Sequence, residues 1–429
     1  MSSSPAPPSA GRRLLTLTLL ILAGEAIFVL PFVLARIFRS TFLVVFEIDN
    51  FQLGTMYSVY GLVALAAYLL GGPIADRFDP RRLMSVSLIS TALGGLVMAA
   101  DPSLGQLRWL YGFWGMSTIL LFWAAMIRVT RRVGGEDWQG TAFGALDGGR
   151  GLVAALLATA CTALFSQALP VDSDVASQAQ RAAALSTVIR AVVVFIMVIG
   201  VGVLILLPKA PPATLVDRRF SLKGLRRVVA MPRIWLQAVI ILCAYVGYKT
   251  TDDLSLYAED VLNMSPVEGA VVSTISFWVR PLAALIVGFA ADRTRTSAVI
   301  PVCFAVVLAL SAVMGTDAFA GGAGIAFFTS VAFLAIGVFA LRGLYYAVMD
   351  ENQVPVLLTG TAVGFVSFVG YLPDVFHGPL MGWLLDASPG PAGHRHVFQM
   401  LAGFSAVGLL AGVALAWMNR GGVMPRSSG

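Results

Sequence analysis

Charge is scarce in this sequence. Asp, Glu, Lys and Arg make up 12% of its 429 residues, against 58% hydrophobic. With a mean hydropathy of +0.84, so much apolar surface excludes a water-soluble globule. Cysteine is scarcer still: Cys161, Cys243 and Cys303 each lie in an apolar run without CxxC spacing. That excludes a redox or metal set and leaves small apolar packing as their role. The three histidines, His377, His394 and His396, lack metal-ligand spacing. No Gly-x-x-x-x-Gly-Lys-Ser/Thr occurs, so ATP-driven transport has no support, and neither Gly-x-Ser-x-Gly nor His-Glu-x-x-His is present. The chain reads as a non-enzyme with no cofactor and no metal. Its formal charge of +6 does not point to nucleic acid, because the basic residues fall in short clusters between apolar runs, as topology-setting loops do.

Long apolar runs are what the sequence does have. A membrane span needs about 20 apolar residues, and twelve such runs occur, at 14–45, 53–75, 83–100, 107–127, 141–165, 183–207, 234–257, 267–291, 298–314, 324–349, 361–385 and 397–418. The expected fold is an all-α integral membrane protein of twelve transmembrane helices. It divides into a disordered cytoplasmic N-terminus (1–13), a six-helix half (14–207), a cytoplasmic linker (208–233), a second six-helix half (234–418) and a cytoplasmic tail (419–429). Arg12-Arg13 mimics a signal peptide, but no small-residue cleavage site follows, so the first run is read as a retained helix. With the N-terminus inside, the inner segments hold 19 Lys and Arg and the outer loops three. The positive-inside rule then puts both termini in the cytoplasm of a bacterial-style inner membrane. Residues 222–230 of the linker are either a short helix lying on the inner leaflet or part of a plain connector with topology-setting charge.

The two halves are copies of one unit. Gly72-Pro73-Ile74-Ala75-Asp76-Arg77, followed by Phe78-Asp79-Pro80-Arg81-Arg82, returns as Gly288-Phe289-Ala290-Ala291-Asp292-Arg293, with 216 residues between Asp76 and Asp292. Gly140-Thr141-Ala142-Phe143-Gly144 returns as Gly360-Thr361-Ala362-Val363-Gly364. A Gly one turn before an Asp lets two helices approach at the membrane surface, while the Asp can accept hydrogen bonds from a neighbouring helix start. Parallel repeats related by an axis along the membrane normal place a shared site at their interface, near the midplane. The charged knot resembles the Gly-x-x-x-Asp-Arg-x-Gly-Arg-Arg motif of the major facilitator superfamily. Here Asp79-Pro80 replaces Gly-Arg, and the second copy stops after Arg295. The resemblance implies alternating access, with Gly72, Asp76, Arg77, Arg81, Gly288, Asp292 and Arg293 latching the cytoplasmic side in the outward-open state.

Seven basic residues lie within the spans: Arg36, Arg39, Arg150, Arg190, Lys249, Arg280 and Arg342. Each costs roughly 2.5–3.5 kcal/mol on insertion scales unless paired or wet. Arg36 and Lys249 occupy equivalent places in helices one and seven, and two cations facing one cavity make an anion site. The layout is similar to that of the organophosphate:phosphate antiporters, where basic residues of those two helices clamp the anion. The alternatives are that Arg36 and Arg39 snorkel to the outer surface, and that Lys249 pairs locally with Asp252 and Asp253. Arg280, Arg342 and Tyr245 are further candidates for the cavity lining. Asp147 and Arg150, at i and i+3 among three glycines, form either a gate or a static intrahelical pair. Glu25 and Asp374 are either proton carriers, since a lone intramembrane carboxylate is costly, or structural hydrogen-bond acceptors.

The expected function is secondary transport of a small organic anion, coupled to a proton or a counter-anion, by a monomer embedded in lipid. A proton-coupled exporter of drugs or of neutral or cationic metabolites is the alternative, in which Glu25, Asp147 and Asp374 carry recognition. A non-transporting membrane sensor on the same fold is the second.

Overall fold

A computed structural model describes residues 10–135, 138–170, 172, 175–209, 222–319, 324–355 and 358–420. Within these, the side chains of residues 10, 69, 72, 73, 76, 139, 140, 222, 223, 284–292, 350 and 360 lie outside the description. The expectations for Gly72, Asp76, Gly288 and Asp292, for residues 1–9 and for the end of the tail fall there.

The described residues form twelve helical rods at the places where the apolar runs predict them. The first, α1, runs Ala10–Phe28 and continues through a π turn, Val29–Val33, into Leu34–Ile37 and Arg39–Val45. Pro31 lies in that π turn and supplies no backbone N–H, so the regular ladder cannot run through it. Next come α2 (Asn50–Arg77) and α3 (Pro80–Met98). Asp79-Pro80, the departure from the family motif, is a helix start: the Asp79 carboxylate accepts from Arg81 N and Pro80 occupies the first helical position. The rod α4 is Leu104–Met116, a π segment Ser117–Trp123, and Ala124–Gly134. The first half ends with α5 (Gln139–Ala168) and α6 (Gln178–Leu206). Asp49/Gln52, Ser103/Gln106 and Ser177/Gln180 form capping boxes at the starts of α2, α4 and α6, satisfying N–H groups that have no helical partner.

In the linker, Leu222–Val229 is a short helix. The second half comprises α7 (Pro232–Thr250, a 3₁₀ turn Thr251–Asp253, and Leu254–Leu262), α8 (Pro266–Arg293), α9 (Thr296–Met314), α10 (Ile325–Ala347, with a 3₁₀ end Val348–Asn352), α11 (Thr359–Gly370 and Pro373–Ala387) and α12 (Pro391–Asn419). Residues Ala10–Phe28 are helical, so Arg12 and Arg13 lie within α1 rather than in a disordered tail.

The two largest apolar cores lie mainly one in each half, the first also taking in Ala270 and Phe277 of α8. Helix α3 packs on α6 and α2 on α4 in the first half, as α9 packs on α12 and α8 on α10 in the second. Between halves the principal contacts are α2 with α11 and α5 with α8, the pairing a twofold axis requires. Among the described residues, eight rods meet the length and hydropathy of a membrane span. The four that do not are α2, α3, α8 and α11, and three of these line the seam between halves.

Candidate functional site

The seam is shut at one end, called outer here because the basic segments lie at the other. Glycines bring the backbones together there. A Cβ on Gly54 would meet Gly378 O at 2.2 Å, and one on Gly382 would meet Asn50 O at 2.3 Å. Asp386 of α11 then accepts from Asn50 N at 3.2 Å, Asn50 Nδ2 at 3.0 Å and Phe51 N at 2.7 Å. A carboxylate of one half thus caps a helix of the other, where the dipole favours it. Ser40 donates to Glu259 at 2.7 Å, and Ser255 and Ser273 donate to the carbonyl of Arg36 at 3.0 and 3.2 Å. Toward the inner end, by contrast, Gly144, Gly148 and Gly364 face open space.

Below this closure a cavity of about 120 Å³ lies between the halves. Its walls are aromatic, with Phe28, Phe32, Tyr60, Trp123, Tyr248 and Tyr371 among them, and it collects five of the seven intramembrane cations. Four of the five are neutralised. Arg36 is 3% exposed and pairs across the seam with Asp252, its guanidinium 4.4 Å from the Tyr248 ring centroid. Lys249 Nζ lies 3.3 Å from Asp374, whose two oxygens accept the Tyr245 hydroxyl at 3.0 and 3.1 Å. Glu25 stands between Arg150 at 3.3 Å and Arg280 at 3.6 Å, and Arg280 also reaches Asp147 at 3.2 Å.

Arg342 is the fifth. Its guanidinium lies 3.7 Å from the Tyr248 centroid and 5.9 Å from that of Tyr245. Among the described residues it has no carboxylate partner, and its buried Nη1 has no hydrogen bond.

Several sequence expectations change. Arg36 is buried, not snorkelled, because the 3₁₀ turn of α7 carries Asp252 to it. Arg39, 1% exposed, bonds Asn50 Oδ1 through Nε and Nη2 at 3.0 and 2.9 Å, so it too stays inside. Lys249 leaves its neighbours Asp252 and Asp253 for Asp374. Asp147 and Arg150 share a helix but not a bond, since each finds a partner on another rod. Arg190 is exposed on α6, away from the cavity. Of the motif residues whose side chains are described, Arg77 and Arg293 are exposed and Arg81 lies 3.5 Å from Asp79. Sequence reasoning missed Asp252 and Asp386 as partners of the other half; the only signal was that each is a charged residue near the outer end of a span.

The sequence profile of the Major Facilitator Superfamily matches residues 14–376. The chain belongs to that family. Two similar proteins of Escherichia coli K12 are inner membrane protein YqcE, 27% identical over 414 residues and 93% of each chain, and inner membrane protein YihN, 25% identical over 419 residues, 93% of this chain and 94% of the other. A mutant of the nucleoside transporter NupG superposes with a TM-score of 0.73 at 14% identity, covering 94% of this chain and 99% of that one. A bacterial homolog to the human lysosomal transporter Spinster, inward-facing and unoccupied, gives 0.71 at 15%, covering 96% and 99%. Membership makes the chain a multi-pass membrane protein of a transporter family rather than an enzyme, and the structural likenesses extend the fold over 94–96% of the chain.

Proposed function

We propose that this transporter moves a small organic anion across the cytoplasmic membrane by alternating access, with Arg342 as the principal anion contact and a proton or counter-anion as the coupling species. The observation that carries the reading is the lone guanidinium of Arg342 in an aromatic cavity where the other cations are already matched by carboxylates. A planar guanidinium presents a fork to carboxylate, phosphate or sulfonate, and the surrounding rings suit a substrate with an apolar or ring-shaped body. Arg36 and Lys249, the clamp favoured by sequence position, become a gate pair and a pair that orients Asp374. The charged knots at Asp76 and Asp292 are proposed to latch the inner end in the opposite state.

The pairing of the other four cations favours one second reading, a neutral ring-containing substrate held by the aromatic walls. A thermal shift panel of phosphorylated sugars, carboxylates and sulfonates separates the two. One anion class at 100 times its Kd should stabilise the wild type by about 2.7 kcal/mol. That stabilisation should vanish in Arg342→Ala and persist in part in Arg342→Lys. Equal stabilisation of wild type and Arg342→Ala by every anion refutes the anion reading.

A further inference from the structure

A second cavity, of about 240 Å³, opens on the outer side of the closure. Its walls bring together Asp49 of the first half with Asp260 and Asp386 of the second, beside Asn50, Leu256 and Leu385. Asp260 is the way inward from it. One of its oxygens lies 3.1 Å from His394 Nε2, while His394 Nδ1 lies 2.8 Å from Asp253 Oδ2. Asp260 is 38% exposed, whereas the His394 and Asp253 side chains are both 0% exposed. A histidine with a carboxylate oxygen at each ring nitrogen is complete only as the imidazolium, because a neutral ring turns one lone pair toward another. Asp253 keeps a second oxygen, Oδ1, buried with no hydrogen-bond partner among the described residues. That is an unmet demand for a donor at the deep end of the cluster. The preceding residue in the same 3₁₀ turn is Asp252, which closes the seam on Arg36.

We propose that Asp253, Asp260 and His394 form the coupling-proton site of this transporter, loaded from the outer cavity through Asp260. This deepens the transport reading and rests on it. Loading balances simply: a hydronium ion protonates the Asp260 carboxylate and leaves as water, and Asp260 passes the proton to the Nε2 lone pair of a ring that already donates Nδ1–H to Asp253. The product is imidazolium between two carboxylates. Closing the outer end brings Asp49 of one half against Asp260 and Asp386 of the other, so the closed state gathers like charge. The bound proton removes one unit of it, and by linkage a proton that favours closure is bound more tightly when the end is closed. Loading from outside therefore drives the protein toward the conformation described here.

Several other charged groups at this end have partners of their own. Asp317 is held by Arg395, the neighbour of His394 on α12, and Glu259 accepts from Ser40. Asp386 caps α2, and Asp252 holds Arg36. Tyr257 of α7 lies edge-on to the His394 ring at 5.4 Å, and His377 of α11 contacts Thr250 Oγ1 at 3.0 Å.

The test needs no substrate. Spin labels on Arg108→Cys and Thr316→Cys, exposed positions at the outer end of the two halves, report closure of the purified full chain by electron–electron distance measurement between pH 5 and 9. The native Cys161, Cys243 and Cys303 are buried. In the wild type the closed fraction should fall as pH rises. His394→Gln should abolish that dependence. Asp260→Asn, at a partly exposed position and so safer for folding, should move the midpoint down by about one to three pH units, the effect of removing a carboxylate in contact with the titrating ring. A wild type whose distances ignore pH, or variants that titrate as it does, overturns the proposal. If this happens while anion stabilisation still depends on Arg342, only the proton site falls. If Arg342→Ala keeps its anion response while the pH dependence requires His394, the anion reading falls and the proton site stands.

Discussion

Gly54→Ala tests whether the α2–α11 seam sets the conformational equilibrium. The added Cβ would lie 2.2 Å from Gly378 O, 2.3 Å from its carbonyl carbon and 2.6 Å from Pro379 N. Ordinary contact begins near 3.4 Å, so the two rods must part by roughly 1 Å. The obstructing atoms are backbone, so no side chain can turn aside to accommodate the methyl group. Overpacking of this kind costs about 1–3 kcal/mol, and at about 2 kcal/mol the population ratio moves roughly 30-fold, since 1.4 kcal/mol is tenfold. The strain exists only while the outer end is shut, so it appears as a shift toward the outer-open state more than as loss of fold. The spin-label pair at positions 108 and 316 should show the longer distance becoming dominant, with Tm changing little. If the closed distance persists while Tm falls by several degrees, the glycine contact serves static packing and the reasoning fails.

Asp386→Ala removes three bonds that cap α2 from the other half. It should shift the same distance distribution toward the open form by about 0.5–2 kcal/mol, the usual range for a lost helix cap. Arg36→Ala strands Asp252 as a buried charge and should lower stability by about 3–5 kcal/mol, with much of the loss recovered in Arg36→Ala/Asp252→Ala; a double variant no more stable than the single would refute pairing as the main role of Arg36. Glu25→Gln leaves Arg150 and Arg280 repelling each other beside the cavity. Its Tm should fall at low salt and recover as added anions enter the cavity, and a salt-independent Tm would argue against a shared carboxylate.

Much of the architecture was legible because membrane spans declare themselves by length and composition, and the repeat of Gly-x-x-Ala-Asp-Arg fixed the halving of the chain. Local backbone breaks were not legible. The run 14–45 reads as one helix, yet it contains a π turn at Val29–Val33 and a break at Phe38. These decide which way Arg36 points. Charge pairing was the larger gap. Sequence proximity suggested Asp252 and Asp253 for Lys249 and Arg150 for Asp147, but each of these groups finds a partner on another rod. His394 lacked metal-ligand spacing and drew no further reading, because both its partners lie more than 130 residues away on α7. Arg342 was visible as an intramembrane cation, but its isolation is a property of the whole cavity and emerges only after every other charge is matched.

That isolation has an electrical consequence. Five cations and four carboxylates meet at the central site, counting Glu25, Asp147, Asp252 and Asp374, which leaves its own side chains one unit positive. Passing a unit charge through the full membrane potential involves about 2.3 kcal/mol per 100 mV. A monoanion bound at Arg342 makes the central site neutral, so its own reorientation would feel little of the field, whereas the unloaded return step would be voltage-sensitive. A dianion reverses the assignment, making the loaded step the electrical one. Once the unit carried by the coupling proton is subtracted, the voltage dependence of each half-cycle, measured as charge movement in a planar bilayer, counts the charges on the cargo before the cargo itself has been identified.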